Sequence, residues 1–132
     1  MSIERAIHER WLTWQPLCQL VPEGRVLTGA AKGDLPFPYV TLDRLGDAQT
    51  TRTSSGSRLD AVQVRFSIWD ERLDRAKQVA DTVLQRFHRA DFDWSGGKVL
   101  DCRQVGYQQL EEDDGVWHLM VDYVIRASQT IG

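Results

Sequence analysis

Apolar and polar positions alternate most cleanly at residues 62–68. Val62, Val64, Phe66 and Ile68 are separated there by Gln63, Arg65 and Ser67. A side-chain period of two belongs to a half-buried antiparallel strand, so a strand is expected over 59–69. The pattern then switches. Asp70, Glu71 and Asp74 sit where the positive end of a helix dipole favours acids. Leu73, Ala76, Val79, Ala80, Val83, Leu84 and Phe87 follow at spacings of three and four, the stripe of an amphipathic helix expected over 71–89. Arg86, His88 and Arg89 fall in its last turn, where cations belong.

The flanks are read the same way. Ser2 is an N-cap candidate, and Ile3, Ala6, Ile7, Trp11 and Trp14 make one apolar stripe over 3–14. Pro16 is expected to end or break that helix, leaving 17–24 as a connector. Arg25 to Thr28 suits a short strand. Tyr39 to Leu42, directly after Pro38, is β-branched and aromatic, which favours a strand over 39–45. Val99 to Leu110 suits another, over 98–110, with a bulge at Gly106. Ser95-Gly96-Gly97 and the acidic run Glu111 to Asp114 read as turns. Val116 to Ala127 closes the chain, with Trp117, Leu119, Val121, Tyr123 and Ile125 on one face. The expected fold is α+β, in the order α-(β)-β-β-α-β-β. It has an antiparallel or mixed sheet of four to five strands, on which the N-terminal helix and the long helix pack. Val64, Phe66, Ile68, Val79, Val83, Leu84, Leu119 and Val121 are the expected core.

One segment resists this reading. Gly46 to Arg58 (GDAQTTRTSSGSR) holds almost no hydrophobe. It cannot bury enough apolar surface to fix itself, so a long mobile hairpin loop is expected over 46–58, of a length usually kept for function.

Composition bounds the rest. At 132 residues, 42% hydrophobic and 27% charged, the chain suits one domain over 1–132 with one core. The formal charge is −3, unevenly spread: 13 basic residues accompany 11 acidic ones over 1–90, but only 3 accompany 8 over 91–132. Sequence-specific DNA binding is not expected of such a chain, because phosphate contacts need a basic surface. Charged residues interrupt the N-terminus, so no signal-peptide core is read there. Nothing approaches the ~18 apolar residues of a membrane span. Cys18 and Cys102, with no secretory signal, are expected as free thiols.

The chemistry-bearing residues form no motif. His8, His88 and His118 lie on different elements with no ligand spacing, and read as solvent-facing or helix-end side chains. Neither cysteine has a CxxC partner, and no Gly-rich phosphate loop is present. The Glu111–Asp114 run lacks the spaced pattern of a Ca²⁺ loop. Trp11, Trp69 and Trp117 are expected in the core, with Trp14 and Trp94 half exposed. No catalytic residue, metal or cofactor is expected. An alternative reading is a small α+β ligand-binding or enzymatic domain, or a bacterial adaptor that binds protein through the 46–58 loop.

Three segments together resemble the tail-completion family of long-tailed bacteriophages, whose members are tail terminators or tail-to-head joining proteins. The first is the short N-terminal helix, its turn-rich connector and Pro38-Tyr39-Val40-Thr41-Leu42. The second is Val62 to Asp70 running straight into the helix Leu73 to Phe87. The third is the closing hairpin from Asp114-Gly115-Val116-Trp117-His118 to Arg126. The resemblance covers nearly the whole chain in order and length. It implies a non-enzymatic virion protein at the head–tail junction, present in the bacterial cytoplasm during assembly. Its partners would be further copies of itself in a ring, typically a hexamer, together with tail-tube and head-connector proteins.

A head-to-tail ring needs two different, complementary patches on each subunit. The expected patches are Arg52, Ser54, Ser55 and Arg58 in the basic loop, and Glu111, Glu112, Asp113 and Asp114 in the acidic turn. Trp94, between Asp93 and Ser95, is the expected anchor.

Overall fold

Strand alternation and the helical stripe meet across one interface. The computed structural model describes residues 3–29, 35–46, 49–52 and 57–130. Its helices are α1 (Ile3–Leu12), α2 (Gln15–Leu20) and α3 (Leu73–Phe87). Its strands are β1 (Val26–Thr28), β2 (Tyr39–Arg44), β3 (Gln49–Arg52), β4 (Ser57–Asp70), β5 (Phe92–Trp94), β6 (Gly97–Glu111) and β7 (Trp117–Thr130). They form one seven-stranded sheet in the order β1-β2-β4-β7-β6-β5, with β3 also paired to β4. The β1–β2 pair is parallel and the others are antiparallel.

The sheet is therefore larger than the four to five strands expected, and the order differs by three short elements. β3 occupies part of the stretch expected as a loop: Gln49 to Arg52 pair with Arg58 to Ala61 of β4. Its described side chains are exposed, so ladder hydrogen bonds hold it rather than a buried face, and hydrophobic patterning cannot see it. Residues 47–48 and 53–56 lie outside the described residues. β5 is a three-residue strand paired to the start of β6. α2 arises because Pro16 stands in the first turn of a new helix, where a missing N–H costs nothing.

The covered face of the sheet carries the core. Val40, Leu42, Val62, Val64, Phe66, Ile68, Val99, Cys102, Leu119, Val121, Tyr123 and Ile125 are buried against Ile3, Ala6, Ile7, Trp11, Ala76, Val79, Val83 and Phe87. Phe66 is the hub, with ring centroids 5.4 Å from Tyr123, 5.5 Å from Phe87 and 6.2 Å from Trp11. Of the expected core only Leu84 departs, at 37% exposed. The α3 stripe centres on Ala76, Val79, Val83 and Phe87, which leaves Leu84 on its flank. At the far end of α3, Arg89 takes φ 60° and donates its N–H to the Cys102 carbonyl at 2.6 Å, fastening the helix end to β6. The expected bulge near Gly106 is present as a register shift between Gln104 and Gly106, and a second lies between Val99 and Asp101.

Candidate interaction surfaces

β4 pairs with β7 from Ser57↔Thr130 to Asp70↔Trp117. A strand of 14 residues spans roughly 45 Å at ~3.3 Å per residue. The end of β4 at Arg58, where it pairs with β3, therefore sits at one pole of the molecule and the acidic β6–β7 turn at the other. Within one chain, Arg52 and Arg58 lie far from Glu111 to Asp114.

The acidic turn is built for display. Glu112 N–H donates to the Val116 carbonyl at 2.8 Å, and Gly115, at φ +80°, donates to the Glu112 carbonyl at 3.0 Å. The left-handed value favours glycine there. Asp114 Oδ1 accepts the Val116 N–H at 3.1 Å. Glu111 to Asp114 are all exposed, and Glu112 approaches His118 Nδ1 at 3.5 Å. At the basic pole, Arg58 is engaged inside the fold. Its Nη2 lies 3.0 Å from Asp60 Oδ2, and Thr50 Oγ1 donates to the other Asp60 oxygen at 2.8 Å. The Arg52 backbone pairs with Arg58, while Ser54 and Ser55 lie outside the described residues. Trp94 is half-buried as expected, and its six-membered ring lies against Gly96, where any Cβ would collide with it. Its Nε1–H is buried without a partner among the described residues.

The opposite sheet face, which none of the described helices covers, carries a second feature. Tyr39 stacks on Trp69 with centroids 6.0 Å apart, and Trp69 on His118 at 3.6 Å. Beside this row, Arg65 grips Asp122 through two hydrogen bonds of 2.8 and 3.1 Å. Together they border an open groove of about 380 Å³ that reaches Thr41, Ser67 and Met120. Two expectations are corrected here. Trp69 lies on the open face rather than in the core, and His118 is a half-buried stacked ring rather than a solvent-facing one. Sequence patterning marks each residue as polar-face or apolar. It does not give the β4–β7 register that sets Trp69 opposite His118 and Arg65 opposite Asp122.

The remaining chemistry is quiet. Both cysteines are free thiols. Burial pushes the Cys102 thiol up to about 12, which leaves little reactive thiolate. Among the described residues, no group of three or more His, Cys, Asp and Glu could hold a metal ion. His8 Nε2 meets Thr28 Oγ1 at 3.0 Å, and His88 Nδ1 accepts the Gln104 N–H at 3.3 Å. No described helix is long and apolar enough to cross a membrane.

Comparisons with known proteins agree on one relationship. The family model for tail completion protein gp17 matches residues 5–128. A chain in the solved virion of a native gene transfer agent (GTA) particle superposes with a TM-score of 0.71 over 92% of this chain and 91% of that one, at 16% identity. At that identity the likeness concerns the fold. No curated protein matches the chain.

Proposed function

The chain belongs to the phage tail completion protein gp17 family, and from this membership we propose that it is a non-enzymatic ring subunit that closes the tail tube and joins it to the head connector. The coarser statement follows from the family itself: this is a structural protein of a phage-type tail, a virion component that assembles with other tail and head proteins. The observation that carries the proposal is the match over residues 5–128, which takes in all but the first two residues of the described helices and the last two of the described sheet. A hexamer at the head–tail junction is the assembly proposed.

Deletion of the gene from its phage or prophage tests the proposal. Full heads and finished but unattached or overlong tails are expected by electron microscopy, with joining restored when purified protein is added. Normal infectious particles would overturn it.

A further inference from the structure

The last turns of α1 and α3 are tied together by two arginines. Arg10 Nε donates to the Arg86 carbonyl at 3.1 Å, and Arg86 Nε donates to the Arg10 carbonyl at 3.2 Å. The Arg10 guanidinium lies 4.4 Å over the Phe92 ring, and that of Arg86 lies 5.3 Å from the Trp14 ring. Arg86 Nη2 also donates to Thr13 Oγ1 at 3.2 Å. Both side chains are half-buried. Neither makes an ion pair with a carboxylate among the described residues. A cleft of about 330 Å³ opens beside them. Burial lowers the pKa of both guanidiniums; the Arg10 charge lowers that of Arg86 further, while Cys102 and the Asp91 carboxylate work against the shift at Arg10.

Two neighbouring, half-desolvated cations, of which Arg10 keeps both Nη atoms without a hydrogen bond among the described residues, are relieved by an incoming anion that accepts hydrogen bonds from them. Glu9 and Asp93 line the same cleft. They would repel a run of phosphates, yet leave room for one or two carboxylates on a narrow turn. The chain presents such a turn at Glu111 to Asp114, on the surface. The turn lies beyond the Asp70 end of β4. The cleft, beside β5, lies toward the Ser57 end, since β5 pairs with the start of β6 and that with the end of β7. One chain cannot close its own turn on its own cleft.

We propose that the Arg10–Arg86 cleft receives the acidic 111–114 turn of a second copy of the chain, a heterologous contact that propagates head to tail. The proposal rests on the ring reading above and names the contact that would build the ring. It takes the acidic turn to a different pair of cations from those expected from sequence: Arg58 pairs with Asp60, whereas neither Arg10 nor Arg86 makes an ion pair among the described residues.

The test uses two full-length charge-reversed sets, R10E/R86E and E111K/E112K/D113K, with Asp114 kept because it caps the turn. Size-exclusion chromatography with light scattering reads assembly. If wild type assembles, each set alone should associate at least about tenfold more weakly, a loss of ~1.4 kcal/mol. An equal mixture should assemble again, because each set supplies what the other lacks. Assembly of the turn set at wild-type strength would overturn the cleft contact and leave the ring reading intact. That arm stands even where R10E/R86E fails to fold, since the turn is exposed. If wild type stays monomeric, a peptide of residues 108–118 is titrated into it while the Arg10 and Arg86 Nε–H signals are followed by NMR. Shifts at both would support the cleft and count against self-assembly of the isolated chain. No shift, or a shift with short duplex DNA and not with the peptide, would overturn the proposal.

Discussion

The two faces of the sheet are built by different physics. On the covered face, Val62, Val64, Phe66 and Ile68 meet Leu119, Val121, Tyr123 and Ile125 under three helices, and all are buried. On the open face, no helix excludes water, yet Thr41, Ser67 and Met120 are buried nonetheless. What shields them there is their neighbours: the Tyr39–Trp69–His118 row and the Arg65–Asp122 fork. The covered face is held by apolar burial, which is non-directional and scales with area. The open face is held by specific cross-strand pairs, each worth only a fraction of a kcal/mol to about 1 kcal/mol. One face is therefore costly to alter. The other can change its chemistry at small cost to the fold, which suits a surface that meets partners.

The comparison breaks most visibly at its hub. Phe66→Ala empties the space among Trp11, Phe87 and Tyr123 and should cost about 3–5 kcal/mol, measured by denaturant unfolding. Leu84→Ala, on a side chain 37% exposed, should cost less than about 1 kcal/mol. Equal losses would mean that the α3 stripe is not centred where the contacts place it.

These two leucine and phenylalanine positions also show what the sequence can reveal. Period-two alternation in 62–68 and period-3.6 spacing in 73–87 found the central strand, the long helix and the face each buries, because burial on one face is what writes those patterns. Leu84 misled because a wide stripe does not tell its centre from its flank. β3 and β5 were illegible for another reason: three or four residues held by backbone pairing need no apolar signature. The interaction surfaces were harder still. The acidic turn could be read, since four consecutive acids next to Gly115 announce an exposed turn. Arg10 and Arg86 could not, being separated by 76 positions and brought together only by the packing of α1 against α3.

Arg75–Asp70 on the covered side and Arg65–Asp122 on the open side are both bidentate ion pairs, and they differ in burial. On the covered side, Asp70 is wholly buried and takes two hydrogen bonds of 2.6 Å from Arg75. Asp70 also accepts the Arg72 N–H at the start of α3, at 3.2 Å. Arg75→Ala strands that buried carboxylate and should cost about 2–3 kcal/mol, near the lower end for a broken buried pair because Arg75 keeps some contact with water. On the open side, Arg65 and Asp122 are 30% and 16% exposed. A double-mutant cycle on that pair should return about 1 kcal/mol or less, shrinking with added salt. A coupling as large as the Arg75 loss would place the Arg65–Asp122 fork in the same energetic class as the core.

The smallest expected effect is a pH dependence at the open-face stack. Burial lowers the His118 pKa from its ordinary 6.5; the Glu112 carboxylate works against that shift, and the Arg65 charge adds to it. The unfolded chain therefore takes up this proton at higher pH than the folded chain does. Between the two values the unfolded state binds more protons, so stability falls as pH falls through about 6.5 and levels off once the folded ring is also protonated. Above that window the contribution is constant. Thermal melts from about pH 7.5 to about pH 5 should show a downward trend that is shallower in His118→Gln, with a residual slope from His8, whose pKa burial also lowers. Glu112→Gln should steepen the trend, because it removes the carboxylate that favours the charged ring. If His118→Gln keeps the full wild-type slope, the ring is not shielded by Trp69 and the open-face stack does not bury it.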